Sequence, residues 1–163
     1  MIKAIMAVDE EGGISKNGSM PWPKNTNDLK WFKENTLHNT VVMGSLTWED
    51  PFMPTPLKNR QNVLVTSKDK INYPGADHYI SGNVSNFILN DLTNFYKNKD
   101  IYIIGGSKLI EQTFELIEEF YLTRIYGNFN CDKKINLNKI EDEMKLIKKI
   151  QVDNTCHFEI WER

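Results

Sequence analysis

At 163 residues, with 40% apolar and 26% charged side chains, the chain has the composition of one packed globular domain spanning 1–163, and this excludes long disorder. A formal net charge of -2 leaves no footprint for nucleic acid, and no stretch approaches the roughly 18 apolar residues of a membrane helix, so neither partner is expected. The chain opens on a strand-like segment without the charged start, long apolar run and cleavage site of a leader, which predicts a cytoplasmic protein, while the widely spaced Cys131 and Cys156 predict free thiols and no metal site.

Ile2 to Val8 is an apolar run interrupted once, which predicts a strand buried on both faces. Asp9 to Ser19 holds Gly12, Gly13 and Gly18 among polar residues, a loop of lid length. Asn25 to Asn27 can cap a helix beginning near Asp28, whose 3.6-residue period puts Asp28, Leu29, Trp31, Phe32 and Thr36 on one face. Thr40 to Met43 predicts a second buried strand, turning at Gly44 to Thr47 into a short helix that carries Trp48. Pro51 to Pro56 can be neither helix nor central strand.

Val63 to Val65 reads as a third strand ending in Thr66-Ser67-Lys68, and His78 to Ile80 as a short one after the turn Tyr73-Pro74-Gly75. From Val84 to Phe95 the apolar residues Val84, Phe87, Ile88, Leu92 and Phe95 recur at helical spacing. Ile101 to Ile104 is a strand opening through Gly105-Gly106 into a helix from Ser107 to Ile117. Phe120 to Tyr126 and Cys156 to Trp161, rich in aromatic and branched residues with no regular helix expected between them, predict an antiparallel pair, and Lys145 to Lys149 a solvated patch. The fold class is therefore α/β, with alternating strands and helices first and an antiparallel C-terminal edge.

Ligands in such sheets bind beyond the carboxyl ends of the strands. Three ends carry small or hydroxyl residues: Gly44-Ser45, Thr66-Ser67 and Gly105-Gly106-Ser107, and the first and third lead into helix starts whose free N–H groups attract anions. Together they predict a cleft for a pyrophosphate and an adenosine phosphate. Asp28 is either a helix-start charge favoured by the macrodipole or a carboxylate on the wall of an apolar cleft. Arg60 is either a surface arginine or a two-point grip for a carboxylate. The tryptophans read as core or cleft lining, and the histidines have no partner motif. No glycine-flanked serine elbow is present.

Taken in order, Ile5-x-Ala7-x-Asp9, Gly13-Ile14, Met20-Pro21-Trp22, Asp28-Leu29-x-Trp31-Phe32, Met43-Gly44 with Thr47-Trp48, Arg60-x-Asn62, Ile104-Gly105-Gly106, Tyr121-Leu122-Thr123 and Phe158-Glu159-Ile160 make a pattern. It resembles the dihydrofolate reductase family over essentially the whole chain. The resemblance implies a single-domain, mixed but mainly parallel eight-stranded sheet flanked by helices, NADPH as hydride donor and 7,8-dihydrofolate as substrate, with antifolate inhibitors as further ligands and a monomeric state.

By the same resemblance Asp28 pairs with the pterin ring in a wall of Ile5, Ala7, Leu29, Phe32 and Ile104. Thr123 bonds the carboxylate, and a water near Trp22 and Met20 delivers the proton. Leu57 packs on the aminobenzoyl ring and Arg60 binds the glutamyl carboxylate. Ala7, Ile14 and Ser15 receive the nicotinamide carboxamide, while Gly44, Ser45, Leu46, Thr47, Thr66, Ser67, Lys68, Ile104, Gly105, Gly106, Ser107, Lys108, Leu109 and Ile110 form the rest of the cofactor wall. The chain departs from the family at Ser15, where glycine is usual, at Ser45, where arginine or lysine is common, at Ile110, where an aromatic is common, and in a longer Asp50 to Thr55 segment. Two other readings are a related reductase of riboflavin synthesis, which lacks the Met-Pro-Trp and Asp-Leu motifs, and a binding paralogue that has lost catalysis.

Overall fold

The computed structural model describes all 163 residues, Met1 to Arg163. In chain order the elements are β1 (Ile2–Val8), β2 (Gly13–Ser15), α1 (Thr26–Thr36), β3 (Thr40–Gly44), α2 (Ser45–Glu49), β4 (Gln61–Val65), β5 (His78–Ile80), α3 (residues 84–95), β6 (Ile101–Gly105), α4 (Ser107–Thr113), β7 (Glu119–Ile125), β8 (Lys133–Lys134), α5 (Leu137–Glu143), β9 (Lys145–Gln151) and β10 (Cys156–Glu162). Eight strands form one sheet in the order β5-β4-β3-β6-β1-β7-β10-β9. Pairing is parallel from β5 through β7 and antiparallel at β7-β10 and β10-β9, the mixed sheet expected from the strand pattern.

Alternation along the strands divides the core between two faces. Ala4, Val42, Ile101, Ile103, Phe120 and Leu122 pack under α3 and α4, whereas Ile5, Val41, Met43, Leu64, Tyr102 and Ile104 face α1 and α2 with Trp48 and Leu57. Both layers are buried, which is why β1, β3 and β6 read as continuous apolar runs.

Several local expectations are corrected. The region between β7 and β10 does contain a helix: α5, capped by Asn136, whose side chain accepts the Lys139 N–H. It shows no apolar stripe because Ile140 is its one buried residue. The lysine run from Lys145 is solvated as expected, exposed at nearly every position, but it forms a regular edge strand that the sequence does not signal because neither face is apolar. In α3 the residues Ile88–Leu92 form a π turn, and the extra residue rotates Phe95 out of the apolar face to 58% exposure. The helix after Gly106 stops at Thr113 and continues as a 3-10 turn, Phe114–Leu116. Finally, the loop after β1 is partly ordered into β2, which pairs with β8 and ends in a tight Asn17-Gly18 turn with φ of 51° and 84°.

Candidate functional site

The carboxyl ends of the parallel strands open into a cleft of about 1270 Å³ that reaches from α1 across β1 to α4. Nearly every residue nominated from the sequence lines it, from Ile5, Ala7, Met20 and Trp22 through Ser45 and Lys68 to Leu109. Two do not. Thr123 lies behind the wall, 1% exposed, and reaches the cleft only through Asp28. Ile110 packs into the core beneath the sheet with Leu109 and Phe114, so its side chain is removed from the cofactor wall: a helix starting at Ser107 turns that position inward.

Asn25 caps α1 by accepting the Asp28 N–H at 3.1 Å, and the helix geometry then carries the Asp28 side chain toward β7. Its Oδ1 accepts the Thr123 hydroxyl at 2.6 Å, while no protein group donates to Oδ2. Asp28 is 7% exposed among Ile5, Leu29, Phe32 and Trp22, all of which line the same space. Burial raises its carboxyl above the ordinary value, and the Thr123 hydrogen bond pulls it part of the way back. A carboxylate on the wall of an apolar cleft, with lone pairs left on both oxygens, can accept a planar pair of N–H donors.

On the opposite side the helix starts differ from those elsewhere. Helices α1, α3 and α5 begin on asparagines whose side chains take up a backbone N–H. Helices α2 and α4 begin on Gly44 and Gly106 with no side-chain cap, so their first N–H groups remain available to a ligand. A Cβ built on Gly106 would meet nothing within 4 Å, and one on Gly44 only the Gly105 and Gly106 backbone at 3.9 Å, which leaves a smooth backbone surface. These features fit a dinucleotide along β3, β4 and β6. At its far end Lys68 is 3.9 Å from Glu49, whose carboxylate also accepts the Tyr73 hydroxyl at 2.6 Å, while Ser45 and the 59% exposed Leu46 bring no charge.

Arg60 is held by its own surroundings. Its Nε donates to the Lys58 carbonyl and Nη1 to the Thr36 hydroxyl, which leaves the rest of the guanidinium fork facing the cleft. Asn62, 2% exposed, bonds both ends of the Leu57 peptide and the Arg60 carbonyl, and so fixes both residues. The Arg60-x-Asn62 spacing carried that signal without stating the role. Sequence reasoning also missed Ser81-Gly82, a fourth strand end on the cleft, although its small residues matched the other three. Phe52 and Met53 of the longer segment line the cleft, and Asp50 beside them accepts the Ser19 hydroxyl across its mouth at 3.1 Å.

An α/β sheet with a phosphate-accepting backbone wall facing one buried acid defines a nucleotide-dependent enzyme of small heterocycles. The family profile described as dihydrofolate reductase matches residues 1–163, and the chain belongs to that family. It is 35% identical over 129 residues to the dihydrofolate reductase of Buchnera aphidicola subsp. Schizaphis graminum, covering 78% of this chain and 73% of that one. It is 31% identical over 134 residues to that of Bacillus subtilis, covering 82% and 74%. Among solved structures, dihydrofolate reductase from Enterococcus faecalis complexed with NADP(H) and RAB-propyl aligns with a TM-score of 0.78 at 28% identity, over 100% of this chain and 96% of that one.

Proposed function

We propose that residues 1–163 act as one unit, a monomeric cytoplasmic enzyme that reduces 7,8-dihydrofolate to 5,6,7,8-tetrahydrofolate with NADPH, and that antifolates occupy the same cleft. The observation that carries this reading is Asp28: a buried carboxylate with one oxygen held by Thr123 and the other offered to the cleft. When bound along the glycine wall, NADPH supplies a hydride for C6 of the pterin.

The chain's own residues do the rest. Asp28 accepts hydrogen bonds from the pterin amide N–H and exocyclic amine, which fixes the ring's orientation and raises the proton affinity of N5. Thr123 keeps the carboxylate from turning. Ile5, Leu29 and Phe32 sandwich the ring and exclude water, while Met20 and Trp22 border the route by which one water delivers the proton to N5. Leu57 supports the aminobenzoyl ring, and Arg60 takes the glutamyl carboxylate with the donors that Thr36 and Lys58 leave free. Ala7, Ile14 and Ser15 line the same cleft, and their backbone receives the carboxamide.

The test is NADPH oxidation by the purified protein with and without dihydrofolate. Oxidation that requires dihydrofolate supports the reading; a folded protein that binds an antifolate yet oxidises no NADPH would be a binding paralogue instead.

A further inference from the structure

Asp9 follows β1 directly and is 1% exposed. Its two oxygens serve different loops. Oδ1 accepts the N–H groups of Glu11 at 2.9 Å and Gly13 at 2.8 Å, both at the root of the lid. Oδ2 accepts the N–H of Phe129 at 3.0 Å and faces the Cys131 thiol at 3.6 Å, both on the loop between β7 and β8. No cation lies within ion-pair distance, so the charge is held by backbone N–H dipoles; burial works against it, yet these bonds together hold the carboxyl below its ordinary range.

Each arm ends at the cleft. Gly13 leads directly into Ile14 and Ser15, which line it. Phe129 packs in an edge contact with Trp22, ring centroids 5.8 Å apart at 71°, and Trp22 lines the cleft in turn. Gly13 is needed for space: a Cβ there would meet the Cys131 Cβ at 2.5 Å and Asp9 Oδ1 at 2.9 Å. We infer that Asp9 is a positioning residue for the reduction, one acceptor-only group that sets the backbone receiving the nicotinamide and the indole bordering the proton route at the same time. This rests on the reaction proposed above.

The chemistry of the group makes the inference testable. An asparagine can offer an oxygen to one arm only, and its amide nitrogen then points a donor at the N–H groups of the other. The experiment is single-turnover hydride transfer from NADPH and from its deuterated form, with rates expressed per antifolate-titrated site. For Asp9→Asn the transfer rate falls about tenfold or more, with the isotope effect retained and the KM for NADPH raised, because misplacement by a fraction of an ångström reaches the reacting atoms.

Should Asp9→Asn not fold, Gly13→Ala presses a Cβ onto Asp9 Oδ1 and Cys131 where the two arms meet, and Phe129→Leu removes only the ring that reaches Trp22. The first raises the KM for NADPH and lowers the transfer rate, and the second lowers the transfer rate with that KM within twofold. Wild-type transfer rates per titrated site in Asp9→Asn, or in both Gly13→Ala and Phe129→Leu, overturn the inference, as does a loss confined to the number of titrated sites. A wild-type protein without dihydrofolate-dependent oxidation would instead overturn the reaction itself.

Discussion

Thr123 and Arg124 are neighbours on β7 and point to opposite faces of the sheet, and each meets a buried acid there. Asp28 and Glu159 are equally exposed, at 7%. Asp28 has one side-chain partner, Thr123, and a carboxyl raised above its ordinary value chiefly by burial. Glu159 has three: His157 at 2.8 Å, Trp161 at 3.0 Å and Arg124 at 3.3 Å. Burial opposes its charge as well, but these partners hold its carboxyl below the ordinary range. Burial is therefore common to both sites, and the difference lies in how many donors the protein itself supplies. The acid left short of partners faces the ligand; the satisfied one fastens β7 to β10.

Exchanging the charge for an amide separates the two roles most sharply. Asp28→Asn should lower kcat/KM for dihydrofolate by about 10²- to 10³-fold, or ~3–4 kcal/mol of transition-state stabilisation, on the scale of losing one preorganised electrostatic contact. The same variant should melt higher than wild type at neutral pH. The native value of Asp28 is raised, so wild type is favoured below the ordinary carboxylate value of 3.8 and loses that advantage as pH rises through the native one. Calorimetry should accordingly find the gap in Tm opening between acid and neutral pH.

Glu159→Ala should do the reverse. Removing one partner of a buried charged network costs about 3 kcal/mol of stability by denaturant titration, while kcat/KM per folded molecule stays within twofold. Because Glu159 is held below its ordinary value of 4.5, its contribution is complete above that value and is lost as pH falls through the depressed native one. The deficit of Glu159→Gln should therefore shrink on acidification. A large loss of turnover in Glu159→Ala at full folding would break the contrast.

Thr123→Val tests the single tie on the active side: kcat/KM should fall about tenfold, ~1.4 kcal/mol, as expected for a hydrogen bond to a charged group. Trp161→Phe is the smallest change. It takes one of three donors from Glu159 and should cost about 1 kcal/mol of stability with unaltered kinetics.

The helix that carries Asp28 is legible in the amino-acid order because it depends on near neighbours, whereas its tie to Thr123, 95 residues on, and its role come only with the family resemblance. Asn25 caps the helix three residues ahead, Leu29 and Phe32 share its face, and Gly44 and the pair Gly105-Gly106 stand at strand ends where residue type alone shows what the backbone needs. The Asp9 arrangement is not legible, since its partner Phe129 lies 120 residues away and contributes only a backbone N–H, which any residue but proline could give. The family resemblance puts Ile110 on the cofactor wall, but side-chain direction depends on where α4 begins and what packs below it. Helix α5 and strand β9 escaped because periodicity reports burial, and both are mostly exposed.

The same edge strand carries a consequence for behaviour in concentrated solution. Strand β9 ends the sheet with one side of its backbone unpaired, and such a border can template growth by another extended chain. Its sequence places Lys145, Lys148 and Lys149 along that border beside the partly exposed Leu146 and Ile147. A second copy arriving in register would set ammonium groups against ammonium groups. The lysine run thus works as a colloidal guard: it lets the sheet stop at eight strands with an apolar pair on its rim.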